Sequence, residues 1–471
     1  MTFGTSGWRA VLGENFTYQN VRIVSQAIAH VLRQQKIDQR GLIIGYDSRF
    51  LSERFARVAA EVFAGHGMSV MLCDRKTPTP TISYHVLQHN LAGGLNISAS
   101  HHPPEYNGIK FTPESGGPVL PETAQAIEQR IFPLLHGEHV KWLPWEKAEK
   151  RGIVQLFDPC PEYLAALEKH IDVDAIHKAK LRVIMDPLYG TAHGYLDDFL
   201  RKAGAKMAVL HYWRDPYFGG VCPEPTRKTT AELQETVKTK GAHLGLATDG
   251  DADRFGIVGQ DGSFIDPNIV LALLVDYLAT TRQWTGSVGR SVATTHLIDR
   301  VAHKHGLGVR ETPVGFTHLA DLLVKGEIRM GGDERAGLSI HGHVPEKDGI
   351  LACLLVTEMI ARTKKTLHEL TEALFDRVGA VVSNRADLVL TESMRENLLK
   401  VQESPPSALA GKSIQQVNTL DGCKLLLKDG SWLLFRLAGS EPLVRCYAEA
   451  ATRQELEALM AAGQQLLLRN S

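Results

Sequence analysis

Short apolar runs alternate with amphipathic stretches through most of the chain. The run Leu42–Tyr46 predicts a strand, and Tyr18–Gln34 before it a helix. Phe55, Val58, Ala59, Val62 and Phe63 recur at helical spacing, with Gly65 and Gly67 supplying a stop. Val70–Cys73 follows as a strand, residues 80–88 as a helix and residues 91–97 as a short buried strand. Pro121–Leu135 reads as a closing helix, and the polar, tryptophan-bearing stretch 137–151 as a linker or edge hairpin. A second cycle of strand and helix starts at residues 181–185 and runs through 192–203, 207–212 and 230–240 to a strand at 243–247. A third runs from a strand at 288–293 through helices near 297–305 and 317–324. The helix at 349–362 has an almost fully apolar flank and is predicted to be buried. The final segment changes character: residues 424–427 and Trp432–Leu437 flank an Asp-Gly turn as a hairpin, then come a strand at 444–448 and the helix Arg453–Leu468.

The expected fold class is therefore α/β: three consecutive α/β domains with mixed sheets and a smaller C-terminal α+β domain. Their expected bounds are 1–150, 151–257, 258–372 and 373–471. A chain of 471 residues exceeds what one core accommodates. Its net charge of -1 argues against general affinity for nucleic acid or anionic membrane, so any anion site must be local. The six cysteines are scattered without a CxxC pair, as reduced thiols would be. The apolar runs at 269–275 and 350–356 are far shorter than the ~20 residues that span a bilayer. With no basic-then-apolar leader pattern, the expected location is cytoplasmic.

Four loops carry the candidate chemistry. In Asn-Ile-Ser-Ala-Ser-His-His-Pro-Pro-Glu-Tyr-Asn-Gly-Ile-Lys-Phe (96–111), Ser100 sits where a strand ends, and Pro103 and Pro104 prevent the ladder from continuing. Alone, such a loop makes only a turn. Asp249, Asp251 and Asp253 place three carboxylates on alternate residues after a strand, which a turn can fold toward one hard cation. A calcium EF-hand does not fit, since Arg254 stands where glycine is needed and Gln260 where glutamate is. Mg²⁺ is favoured because a phosphate completes its oxygen shell. Gly-Gly-Asp-Glu-Arg-Ala-Gly (331–337) and Arg-Leu-Ala-Gly-Ser-Glu-Pro (436–442) are the remaining two.

In this order, and with Thr5-Ser-Gly-Trp-Arg9 ahead of them, these loops resemble those of the α-D-phosphohexomutases, the phosphoglucomutase and phosphomannomutase family. The resemblance implies four domains around a central cleft, each giving one loop. It implies that Ser100 carries a phosphoryl group and that one of its oxygens joins Asp249, Asp251 and Asp253 on Mg²⁺. It makes Lys110 a candidate for proton handling or for stabilising the transferred group, with a surface lysine as the alternative; His101 lies close by. Asp333 and Glu334 would accept hydrogen bonds from sugar hydroxyls. Arg436, Gly439, Ser440 and Arg445 would grip phosphate, while Arg9 and Arg254 add positive charge.

The implied activity is interconversion of sugar 1- and 6-phosphates through a phosphoserine and a sugar 1,6-bisphosphate, which also serves as activator. A bisphosphate synthase or a non-catalytic sugar-phosphate sensor remains open. The partners implied are small phosphosugars, with no nucleic acid or membrane, for a monomer or homodimer. Several positions depart from the family's usual pattern: His102 in place of Asn, Arg335 and Ala438 in place of Ser, Ser440 in place of Thr, and Thr317 in place of Lys. For Arg335 three accounts compete: pairing with Asp333 or Glu334, pointing into solvent, or reaching the cleft as another anion contact. The first two are preferred because the acids are adjacent.

Overall fold

The computed structural model describes residues 1–438 and 442–468. Four sheets succeed one another along the chain. In the first, Gly93–Ile97, Leu42–Tyr46, Val70–Cys73 and Val154–Phe157 run parallel, while Tyr106–Pro113 and Trp8–Val11 add antiparallel at one edge. The second repeats the plan: Lys206–Val209, Arg182–Asp186 and Leu244–Thr248 are parallel, and Phe255–Gly259 and Phe264–Ile265 return antiparallel. The third has Gly308–Thr312, Ser287–Ser291 and Met330–Asp333 parallel, with Gly337–Ile340 antiparallel. Parallel strands need crossovers, whose helices cover both faces, and this is why strands such as Leu42–Tyr46 and Leu244–Thr248 are buried nearly throughout. In the fourth sheet Val382–Val389, Leu443–Ala450, Trp432–Leu437, Cys423–Leu427, Lys412–Asn418 and Ala408–Leu409 pair antiparallel, with the helices Glu392–Glu403 and Arg453–Leu468 contributing to its core.

Each of the four loops lies between two neighbouring antiparallel strands. Gly93–Ile97 returns as Tyr106–Pro113, Leu244–Thr248 as Phe255–Gly259, Met330–Asp333 as Gly337–Ile340, and Trp432–Leu437 as Leu443–Ala450. A loop so mounted is fixed at both ends by ladder hydrogen bonds, which suits it to hold side chains in one geometry.

Two expectations change. The stretch 137–151 contains the helix Trp145–Lys150, and its tryptophans are packing residues: Arg22 lies over Trp142 and Arg57 over Trp145, with Ala148 buried in the first core. The helix expected over 192–203 is only Leu196–Lys202, because Gly194 adopts a φ of 82° and gives its N–H to Asp197.

The cores do not divide evenly. The first and fourth sheets have their own. The second and third share one, wrapped around the helix Gly349–Thr363, in which residues 349–361 are all buried. Its N-cap, Asp348, takes the Leu351 N–H at 2.9 Å and is bonded by Tyr163 Oη at 2.6 Å and His343 Nε2 at 2.7 Å, so side chains from both units fix the helix start. The fourth unit meets the third through a small cluster of Val292, Ala293, Trp432, Leu434 and Tyr447.

Candidate functional site

Ser100 follows the strand Gly93–Ile97 with a φ of 52°, a left-handed conformation that a non-glycine residue adopts only when its surroundings enforce it. Arg49 does so. Its fully buried guanidinium donates to the carbonyl oxygens of Ser100 (2.6 Å), His102 (2.7 Å), Pro103 (2.7 Å) and Tyr106 (2.8 Å), and its Nε to Asp47 at 3.1 Å. All five guanidinium donors are thereby used on carbonyls that the proline loop cannot pair in a ladder, and on one carboxylate. The Ser100 N–H goes to Ser98 Oγ at 2.9 Å, and Ser100 Oγ donates to Asp249 Oδ2 at 2.9 Å.

Asp249 opens the turn between Leu244–Thr248 and Phe255–Gly259 and receives the Arg254 N–H at 2.9 Å. A Cβ at Gly250 would meet the Ser100 carbonyl at 2.8 Å, so the glycine lets the two loops touch. Asp251 Oδ2 accepts from Thr79 Oγ1 at 2.6 Å and Lys110 Nζ at 2.7 Å. Asp253 Oδ2 accepts from Lys110 at 2.8 Å and Lys347 at 3.0 Å. The other oxygens, Asp251 Oδ1 and Asp253 Oδ1, are buried without a hydrogen-bond partner among the described residues. One oxygen from each of the three carboxylates lies within 4.8 Å of the others. Hard acceptors converging with two unused buried oxygens fit a small divalent cation such as Mg²⁺.

Burial and the two adjacent carboxylates hold the Asp249 carboxyl well above the usual range. Burial also opposes charge on Asp251 and Asp253, yet Lys110, joined at Asp253 by Lys347, outweighs it and holds both below that range. Lys110 is itself pushed down by burial, but Asp251 and Asp253 prevail and raise it. It is therefore an ammonium in this setting.

A wall of arginines faces the triad. Arg9 Nη1 lies 3.1 Å from His102 Nδ1, Arg254 Nη1 2.6 Å from Glu224, and Arg335 Nη2 3.1 Å from the same Glu224 oxygen. Arg335 Nη2 also lies 3.3 Å from His101 Nε2, whose ring Nδ1 is 3.3 Å from Ser100 Oγ. An arginine only donates, so His101 Nε2 accepts and Nδ1 carries the proton. Burial, then Arg254 and Arg335, keep His101 well below its ordinary value, and burial and Arg9 bring His102 down to about 3. Both are neutral at neutral pH. Burial lowers Arg9 to about 10.

The pairing of Arg335 with Asp333 or Glu334 is corrected by this geometry. Asp333 Oδ1 is taken by the backbone N–H groups of Arg335 (3.0 Å) and Gly337 (2.9 Å), and Glu334 Oε2 by Ser291 at 2.8 Å. The guanidinium crosses instead to Glu224 and His101. Solvent is not its destination either, since its side chain is only 25% exposed. In the sugar-loop candidate, burial and Asp333 raise the Glu334 carboxyl.

Arg436 and Arg445 are directly opposite each other across the last hairpin, an arrangement that repels without an anion or acidic neighbours. Arg436 Nε binds Asp421 at 2.7 Å. Ala438 closes the hairpin through its N–H to Leu443, Thr317 lies in the helix Phe316–Val324, and Gly439 and Ser440 fall outside the described residues.

Four residues absent from the sequence reading enter the site: Arg49, Thr79, Glu224 and Lys347. Tyr46-Asp-Ser-Arg49 carries a usable signal, a charge pair directly after a buried strand at the same sheet end as Ser100. Glu224 and Lys347 carry none.

The chain matches the phosphoglucomutase/phosphomannomutase models for α/β/α domain I over residues 1–135, domain II over 161–262, domain III over 266–378 and the C-terminal domain over 395–463. It is 30% identical to a phosphoglucomutase/phosphomannomutase of Thermococcus kodakarensis, over 99% of this chain and 98% of that one. It is 32% identical to a phosphoglucomutase of Komagataeibacter xylinus, over 96% and 87%. A crystal structure of a phosphomannomutase candidate from Thermus thermophilus superposes with a TM-score of 0.85 at 32% identity, covering 99% of each chain. With four matched domains in order and full-length relatives at this identity, the chain belongs to the phosphoglucomutase/phosphomannomutase family of mutases.

Proposed function

We propose that this mutase interconverts a sugar 1-phosphate and a sugar 6-phosphate through phospho-Ser100 and a sugar bisphosphate. The observation that carries the reading is the bond from Ser100 Oγ to Asp249 Oδ2 at 2.9 Å, which sets a strand-end hydroxyl against a buried aspartate triad from another unit. Asp249, Asp251 and Asp253 would hold Mg²⁺, which supplies charge neutralisation for the transferring phosphoryl group.

The chain's own groups account for the rest. As the bond from phosphorus to Ser100 Oγ breaks and a bond to the sugar hydroxyl oxygen forms, negative charge develops at Oγ, and the hydroxyl's proton, carried on a phosphoryl oxygen, passes to it. The His101 Nδ1–H, with its tautomer fixed by Arg335, is placed to donate there. On return, Ser100 Oγ attacks the other phosphate of the bisphosphate, Asp249 Oδ2 is the acceptor already bonded to its proton, and the sugar oxygen that leaves phosphorus takes up a proton from water to become the free hydroxyl. Lys110, kept charged by two aspartates, stabilises the transferring anion rather than taking a proton. Asp333 and Glu334, the latter anchored through Oε2 by Ser291, would accept hydrogen bonds from sugar hydroxyls, and the Arg436–Arg445 hairpin holds the phosphate that is not reacting.

Intact-mass measurement of the purified enzyme, with and without added glucose 1,6-bisphosphate, tests the reading. One phosphate adduct per chain is expected, absent from Ser100→Ala. No adduct under either condition, or one that survives the substitution, overturns it. A panel of glucose, mannose, glucosamine and pentose 1-phosphates with trace bisphosphate then selects the sugar.

A further inference from the structure

Away from the cleft, the last turn of the helix Thr79–Gln88 carries His85 and, at its C-cap, His89, one helical turn apart on the same face. Glu162 approaches them from the helix Cys160–Glu168 of the second unit. Glu162 Oε2 lies 3.1 Å from His89 Nε2 and 3.9 Å from His85 Nδ1. The rings of the two histidines are stacked, 5.4 Å between centroids and 23° apart, with Phe157 edge-on to both.

The tautomer of His85 decides what this cluster offers. His85 Nε2 lies 2.8 Å from the Pro159 carbonyl oxygen, which only accepts, so Nε2 carries the proton. The lone pair is therefore on Nδ1. That atom is buried, the side chain is 0% exposed, and it has no hydrogen-bond partner among the described residues. An orphaned buried acceptor costs free energy unless something binds it. A ring N–H held by a backbone carbonyl is also the usual support of a metal-bound histidine.

We infer that His85 Nδ1, His89 and Glu162 form a second cation site, for a borderline divalent metal of the Zn²⁺ class, that clamps the first α/β unit to the second. Two imidazoles and one carboxylate are a donor set that Zn²⁺ accepts and Mg²⁺ does not favour. Ligands about 2.0–2.1 Å from a tetrahedral zinc stand roughly 3.4 Å from one another, and the 3.1 and 3.9 Å separations bracket that spacing. The three ligand atoms all lie within 4.8 Å of one another. Glu162 is 43% and His89 33% exposed, so the site has an open side for entry and for a water as fourth ligand. A cation there also meets the negative end of the helix dipole. At the opposite end of the same helix, Thr79 gives its N–H to the Asp251 carbonyl at 2.9 Å and its hydroxyl to the Asp251 carboxylate at 2.6 Å. The clamp thus fixes, from behind, the helix that seats one aspartate of the triad.

The experiment titrates Zn²⁺ into chelator-stripped, full-length enzyme in millimolar Mg²⁺, which covers the aspartate triad. One Zn²⁺ per chain is expected, with a raised Tm and with the visible bands of a four-coordinate site when Co²⁺ replaces it. His89→Ala and Glu162→Gln, both at half-exposed positions, should each weaken Zn²⁺ at least about tenfold. Neither should change turnover in Mg²⁺ alone. Asp251→Asn should leave Zn²⁺ binding intact. The site is overturned if no Zn²⁺ binds in Mg²⁺, if both variants bind as wild type does, or if only Asp251→Asn abolishes binding.

Discussion

At the scale of single residues, Asp251 is held by Thr79 and Lys110 on one oxygen and, among the described residues, by no hydrogen bond on the other. Asp251→Asn keeps the shape but removes one anion from a site whose neighbouring lysines need it. Turnover should fall to background while unfolding remains cooperative, and calorimetric titration should show weakened Mg²⁺ binding; unchanged affinity and rate would exclude the aspartates as the metal site. Arg335 acts through a different route, since it reads His101 and Glu224 rather than its own loop. Arg335→Ser should release the His101 tautomer and cost about 1 kcal/mol, or roughly fivefold, in affinity for a hexose bisphosphate, the part-exposed guanidinium being screened by water. Affinity equal to wild type would leave Arg335 with no role in retaining the intermediate.

Among the elements, the Ser100 loop depends on one side chain. Arg49→Lys retains the charge but replaces a five-donor fork by a compact ammonium that cannot reach four carbonyls. Stability measured in urea should fall on the order of 3–5 kcal/mol, because buried carbonyl oxygens are left without donors at about 1–3 kcal/mol each, and turnover should fall with it. Full activity in the lysine variant would show that the loop holds its shape unaided. The same loop shows what the sequence reveals. Ser100 and the aspartates are legible because each ends an apolar run, where period and punctuation agree. Three of the four return strands, Tyr106–Pro113, Phe255–Gly259 and Gly337–Ile340, are not, since a strand beginning directly after a charged turn carries no start signal of its own; Leu443–Ala450 is, as the strand expected at 444–448. Arg335 is misjudged for a related reason. Adjacent acids look like partners along the chain, but in space they are engaged by Ser291 and by backbone N–H groups.

Over the whole molecule, the fourth unit is fastened to the third by Lys424. Fully buried, it donates to the Val292 carbonyl at 2.6 Å and to His296 Nε2 at 2.8 Å, with Glu311 at 3.4 Å and the Trp432 ring centre at 4.2 Å. Burial and Arg290 bring it down to about 8 from 10.5, against the pull of Glu311. The folded state therefore releases this proton before the unfolded state does. Its contribution to stability is lowest below about pH 8 and rises from there to about 10.5, by up to about 3 kcal/mol. The difference in unfolding free energy between wild type and Lys424→Met should change across that window and be flat below it; a flat difference throughout would mean the lysine is not depressed. The core shared by the second and third units has a consequence of another kind, in time rather than space. Tyr163, Val183 and Phe255 pack into the same cluster as residues of the helix Gly349–Thr363, which is synthesised about a hundred residues later than the second unit's sheet. The second unit's share of this core therefore cannot close before residues 349–363 have been made.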